Sequence, residues 1–147
     1  VWLKLESKCI KITPEKILQL SKNDLKKCGF SRQKIEYIQG LANNFIKQKF
    51  DIKKLKYMND NDAIEYLSKN KGIGRWSSEM FLLFNQNRLN IFPVQDIGFL
   101  KAISKNYKKD MPIDNIYLNK LKKRWTPYCS MATWYLWRSL DPIPVNY

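Results

Sequence analysis

The chain has 147 residues, 44% of them hydrophobic, and 27 Lys and Arg against 13 Asp and Glu give it a net charge of +14. That apolar share excludes global disorder, the length suits one ordinary core, and no apolar run approaches the ~18–20 residues of a membrane span. Histidine is absent, which excludes every His-based triad, His-metal site and His acid–base pair and leaves proton chemistry mainly to Asp or Glu.

Helical signals recur from end to end. Thr13-Pro14-Glu15 reads as an N-cap, a proline at the first helical position and an acid in the first turn. Ser21-x-x-Asp24 resembles a capping box and opens a short helix that Gly29 ends. Ser31 starts the best helix, with Ile35, Ile38, Leu41, Ala42, Phe45 and Ile46 on one face. Asn59-Asp60-Asn61 caps a helix with Ala63, Ile64 and Leu67 inward, and Lys71-Gly72-Ile73-Gly74 interrupts it before a second apolar run of Trp76, Met80, Leu83 and Phe84. Asn85–Asn90 is a polar turn, and Phe92-Pro93 an extended approach. A helix is expected from Asp96 to about Lys105. Another follows Pro112, with Ile116, Leu118 and Leu121 as apolar members. Thr126-Pro127 repeats the cap-plus-proline start, and the last helix carries Met131, Trp134, Tyr135 and Trp137 before Pro142 and Pro144 end it. The expectation is all-α: one domain, residues 1–147, a compact bundle of eight to ten short helices.

Cys9, Cys28 and Cys129 are far apart and form no C-x-x-C pair. A zinc site or four-Cys iron–sulfur cluster therefore lacks ligands, and an odd count without a signal-peptide pattern favours a reducing cytosol and three small core residues. The charge rests on 22 Lys and 5 Arg beside 13 Asn. Coding bias enriches Lys and Asn together, so the excess supports a polyanion partner without establishing one.

Three segments can carry chemistry. In Lys71-Gly72-Ile73-Gly74-Arg75, two glycines let the backbone turn tightly and approach a ligand, with amides and Arg75 facing a phosphate; an ordinary turn between helices is the alternative. It is neither a Rossmann fingerprint nor a P-loop. In Phe92–Gly98, Asp96 stands where a helix begins, and on position alone an N-cap is its commoner role. In Trp125–Arg138, five aromatic residues exceed what one buried helix face needs. Trp134 and Trp137 are expected to share a face, at least two of the five to be core, and the rest to offer a stacking surface for a flat ligand such as a nucleobase.

Taken in order, Gly72-Ile73-Gly74-Arg75-Trp76-Ser77-Ser78, Phe92-Pro93-x-x-Asp96 and Trp125-x-Pro127-Tyr128-x-Ser130-x-Ala132 with Trp137 resemble the helix–hairpin–helix DNA glycosylase superfamily, in its 3-methyladenine DNA glycosylase II branch. The resemblance implies monofunctional hydrolysis of the N-glycosidic bond of alkylated purines after base flipping, in base-excision repair of double-stranded DNA. Asp96 matches the catalytic aspartate, and Trp76, Met80 and Trp137 match base-pocket positions. Gly72, Ile73, Gly74 and Arg75 match the hairpin that binds DNA backbone. The hairpin carbonyls of Ser68, Asn70 and Ile73 match those that in some members hold a monovalent cation such as Na+ or K+; no other cofactor is implied. Physical chemistry supports the match, since a cationic alkylated base leaves readily, one buried carboxylate can support the positive sugar, and electron-rich rings attract a flat cation.

Where this sequence differs from relatives, expectations follow. Trp76 stands where bifunctional relatives carry a Lys nucleophile, so no lyase activity is expected. Met80 replaces an aromatic residue of some members, and Asn70-Lys71 replaces an apolar-proline pair. Family members carry a further helix and wedge loop before the residue matching Val1, so a fragment, split form or minimal member lacking that N-terminal element is expected. The alternative function is a non-catalytic DNA-binding module; a basic protein-interaction domain is a third. A monomer without membrane association, cytoplasmic with the nucleoid, completes the expectations.

Overall fold

The computed structural model describes residues 1–9 and 11–141, and no strand occurs among them. The helices are α1 (Trp2–Glu6), α2 (Pro14–Gln19), α3 (Lys22–Lys27), α4 (Arg32–Ile46), α5 (Asp60–Ser68), α6 (Arg75–Phe84), α7 (Ile97–Tyr107), α8 (Asn115–Trp125) and α9 (Cys129–Arg138), with a 3-10 turn at Ile52–Tyr57. Pro142 and Pro144 lie outside the described residues. No described helix is long and apolar enough to cross a membrane.

Most helices begin where a short polar side chain can take an amide that has no partner within the helix. Thr13, Ser21, Ser31, Asn59, Asp96 and Asp114 each accept from the backbone N–H three residues on. Gly29, at φ +98°, follows α3, a left-handed conformation that suits glycine. Asp24 completes its box differently from a glutamate: its carboxylate takes the Ser21 hydroxyl at 2.6 Å.

The chain divides into two compact units, Val1–Gly74 and Arg75–Tyr147. In the first, α2 and α3 pack on α4, burying Leu5, Cys9, Ile17, Leu25, Cys28, Ile35 and Ala42 together. Further along, the Asp51 amide donates to the Tyr66 hydroxyl at 2.8 Å and Phe50 stacks on the Tyr66 ring. In the second unit, α7 and α8 pack on α9 around Phe92, Phe99, Ala102, Ile103, Ile113, Leu118, Leu121, Cys129 and Leu136. Trp125 packs its ring against Phe92, Phe99 and Tyr107, and both it and Trp137 lie against the core cluster, the two core members expected of the aromatic segment. All three cysteines are buried free thiols. Burial pushes the Cys129 thiol above its ordinary range, keeping it protonated and structural.

Four local expectations need correction. Ile116 is 78% exposed, because the inward face of α8 falls on Leu118 and Leu121. Thr126 does not start the last helix. Its hydroxyl turns back to the Lys122 carbonyl at 2.8 Å and closes α8, and Tyr128 precedes α9 without a side-chain cap bond. Trp134 does not share the surroundings of Trp137; it meets Tyr135 edge-on with the Arg138 guanidinium over its ring. Helix α7 runs to Tyr107, two residues past the expected end.

Candidate active site

Helix α5 ends at Ser68, and the chain turns through Asn70–Gly74. Asn70 holds the inner side of that turn. It is buried; its side-chain amide donates to the Leu67 carbonyl at 3.2 Å, its Oδ1 accepts from Asn44 at 3.0 Å, and its carbonyl accepts the Ile73 amide at 3.0 Å. Asn70 thus ties the turn with three hydrogen bonds across positions 44 to 73.

The two hairpin glycines do different work. Gly72 sits at φ +92°, and a Cβ there would come within 2.3 Å of the Tyr37 ring. It is glycine because the fold leaves no room and demands a left-handed backbone. Gly74 has no positive φ, and a Cβ there would meet nothing within 4 Å. The fold leaves open space for a side chain at 74.

In the second unit, Arg75 opens α6, and its Nε donates to Glu79 Oε1 at 2.9 Å, one helical turn on. Glu79 is 1% exposed, and its other oxygen, Oε2, is buried without a hydrogen-bond partner. Burial raises the Glu79 carboxyl above its ordinary range, against the opposing pull of Arg75. The i, i+4 spacing was visible in the sequence; the burial that gives it meaning was not.

Asp96 is reached through a buried Phe92-Pro93 approach. The Val94 amide donates to the Phe92 carbonyl and the Asp96 amide to the Pro93 carbonyl, each at 3.0 Å. Ser130, at the start of α9, fixes the segment just before. Its hydroxyl donates to the Arg88 carbonyl at 2.5 Å and accepts from the Ile91 amide at 2.9 Å, while its own amide donates to the Leu89 carbonyl at 2.9 Å.

At the end of this path Asp96 caps α7, as position alone suggested, and does more. Oδ1 accepts from the Phe99 amide at 2.5 Å and from the Trp137 indole Nε1 at 3.0 Å; Oδ2 accepts from the Trp76 indole Nε1 at 2.8 Å. Residues 76, 96 and 137, chosen from the sequence, therefore meet around one carboxylate. Met80, half-buried, lies one turn after Trp76 on α6. Phe84 was not selected as a site residue. One further turn on, it is 59% exposed and stacks on Trp137 with ring centroids 5.9 Å apart and planes 17° from parallel. Its i, i+8 relation to Trp76 was the available signal. No group of three or more Cys, Asp or Glu that could hold a metal occurs among the described residues.

A family model described as HhH-GPD superfamily base excision DNA repair protein matches residues 1–127. YfjP of Bacillus subtilis (strain 168) is 36% identical over 129 residues, covering 87% of this chain and 45% of that protein. DNA-3-methyladenine glycosylase 1 of Schizosaccharomyces pombe is 30% identical over 128 residues, 86% of this chain and 56% of that protein. The crystal structure of a DNA-3-methyladenine glycosidase from Bacillus halodurans superposes with a TM-score of 0.82 at 28% identity, covering 96% of this chain and 66% of the other. The S. pombe 3-methyladenine DNA glycosylase in complex with abasic DNA gives 0.81 at 26% identity, covering 98% and 73%. The chain spans about half the length of the curated relatives it matches. The all-helical architecture, the hairpin at Asn70–Gly74 and the matched span lead to one assignment: this chain belongs to the HhH-GPD superfamily of base excision DNA repair proteins.

Proposed function

We propose that this protein hydrolyses the N-glycosidic bond of alkylated purines such as 3-methyladenine in double-stranded DNA, after flipping the damaged nucleotide from the stack. The observation that carries the reading is the Asp96 carboxylate with Trp76 and Trp137 hydrogen-bonded to it. The names of the S. pombe and B. halodurans relatives support the substrate class.

In this reading the C1′–N bond breaks with its electron pair leaving on the already cationic base. Positive charge develops on the sugar, and Asp96 stabilises it. Water adds its oxygen to C1′ and releases a proton, leaving an abasic site. Trp76, Met80 and Trp137 line the base pocket, with Phe84 adding a ring behind Trp137. Trp76 occupies the position of the lyase nucleophile of bifunctional relatives, so base release occurs without strand cleavage. The hairpin Gly72-Ile73-Gly74-Arg75 binds DNA backbone. The carbonyls of Ser68, Asn70 and Ile73 are the donors for a monovalent cation there. That of Asn70 already takes the Ile73 amide, leaving one lone pair for the ion. The protein acts as a monomer, in the cytoplasm with the nucleoid.

The test is release of methylated base from alkylated duplex DNA by the wild type and by Asp96→Asn. The expected loss is at least a hundredfold, on the order of 3 kcal/mol, with circular dichroism unchanged because Asn still caps α7. Equal release by both proteins would reduce Asp96 to a cap. No release by either, with DNA binding intact, would leave a non-catalytic DNA-binding module.

A further inference from the structure

We propose that Trp76 and Trp137 act on the reaction chiefly through their indole N–H groups, as positioning residues that aim the Asp96 carboxylate, and only secondarily through their ring faces. This rests on the proposed role of Asp96 in glycosidic-bond hydrolysis.

A carboxylate offers about four acceptor directions, two on each oxygen. In Asp96 three are taken. Oδ1 holds the Phe99 amide and the Trp137 indole, and Oδ2 holds the Trp76 indole. The direction left open is on Oδ2, which makes that oxygen the one available to the sugar or to the attacking water. The two indoles come from different helices, α6 and α9, and the amide from a third, α7. With donors from three elements on one group, the χ1 and χ2 torsions of Asp96 are fixed independently of anything bound.

Gly98 shows how tightly the arrangement is drawn. A Cβ on it would lie 3.1 Å from Asp96 Oδ1 and 3.7 Å from both Cδ1 and Nε1 of the Trp137 ring. The ring edge carrying the donor is thus seated against the backbone beside the carboxylate. An indole that served only as a stacking face would need no particular orientation of its N–H edge. Here both tryptophans turn that edge to the same carboxylate.

Phenylalanine separates the two roles, because it keeps an aromatic face and loses the donor. Trp76→Phe and Trp137→Phe are each expected to slow single-turnover base release by about ten- to a hundredfold, the scale of a misplaced catalytic group. Affinity for alkylated duplex should change less than threefold. Within an Asp96→Asn background the same substitutions should cost little more, since the group they aim is already disabled. Large affinity losses with unchanged single-turnover rates would instead assign the tryptophans to stacking and overturn the proposal.

A second readout is independent of turnover. In a 15N-edited spectrum of the full chain, five tryptophans give five indole N–H signals. In Asp96→Asn the amide oxygen stays with the two donors of Oδ1, and the amide NH2 replaces Oδ2. The Trp76 indole signal should therefore shift strongly and that of Trp137 weakly. Absence of any shift at Trp76 would overturn the clamp itself. A shift in a protein that releases no base would leave the clamp standing and overturn the glycosylase reading alone.

Discussion

At the scale of single residues, Glu79 offers a clean measurement. Its carboxyl is buried, bonded through one oxygen only, and raised above the ordinary 4.5 mainly by burial. Below about pH 4.5 it is protonated whether the chain is folded or not, so its contribution is fully present there. As pH rises through the elevated folded value, the folded chain must ionise a buried group and that stability is lost. Glu79→Gln keeps an oxygen for the Arg75 Nε and cannot ionise. The wild type is therefore expected to lose stability relative to Glu79→Gln as pH climbs from 4.5 toward 7, measured as the difference between paired urea titrations. A difference independent of pH would show that burial does not tune this carboxyl. Residue types at this scale were only partly legible. Asp96, Trp76 and Trp137 were legible only through the resemblance that three ordered motifs bear to a known family; by position alone Asp96 read as a helix cap. The direction of each indole N–H was not, since it depends on a ring torsion set by packing. Nor was Glu79, whose identity in sequence is that of any surface acid on a helix.

At the scale of elements, the hairpin separates a structural glycine from one the fold does not need. Gly72→Ala forces a Cβ into the Tyr37 ring at a left-handed φ and is expected to destabilise the chain by about 1–3 kcal/mol, read from its melting transition. Gly74→Val meets open space and should melt with the wild type. It is nonetheless expected to weaken binding to damaged and intact duplex about equally, because a backbone-phosphate contact carries no sequence or lesion information. Normal affinity in Gly74→Val would remove the hairpin from the DNA interface. Helix starts were the most legible elements. Thr13, Ser21, Ser31, Asn59 and Asp96 cap as their sequences suggested, since a cap depends on residues within one turn. The start that failed rested on an equally local contact, one turn behind rather than ahead. Thr126 has the sequence of a cap, yet its hydroxyl finds the Lys122 carbonyl behind it. The short α1 and the lysine-rich Ile52–Tyr57 turn have too few apolar positions to show a period.

At the scale of the whole molecule, the net charge of +14 predicts DNA affinity that falls steeply with salt. Each phosphate neutralised adds about 0.9 to the slope of log affinity against log salt concentration. A slope near zero in a filter-binding or anisotropy titration would assign the charge to composition alone. The all-α class was legible from the unbroken sequence of helix signals, and the apolar periods located part of each core, Ile35 and Ala42 in the first and Ile103, Leu118 and Leu121 in the second. The division at Gly74–Arg75 was not legible, because no linker composition marks it. The chain passes from one unit to the other inside the very motif that the sequence presents as continuous.

Ser130 has a consequence for how loss of function would be inherited. It makes no hydrogen bond to Asp96, Trp76 or Trp137, yet its three bonds hold residues 88–91, the run-up to the turn that carries Asp96. Alanine there would strip the buried Ile91 amide of its side-chain partner and remove the bond to the Arg88 carbonyl. The release of Asp96 from its register would follow through the backbone. A screen of random variants for alkylation sensitivity is therefore expected to recover position 130 alongside Asp96, with Ser130→Ala folded but slow. Such a change would lie 34 positions away, in sequence, from the carboxylate whose placement it loosens.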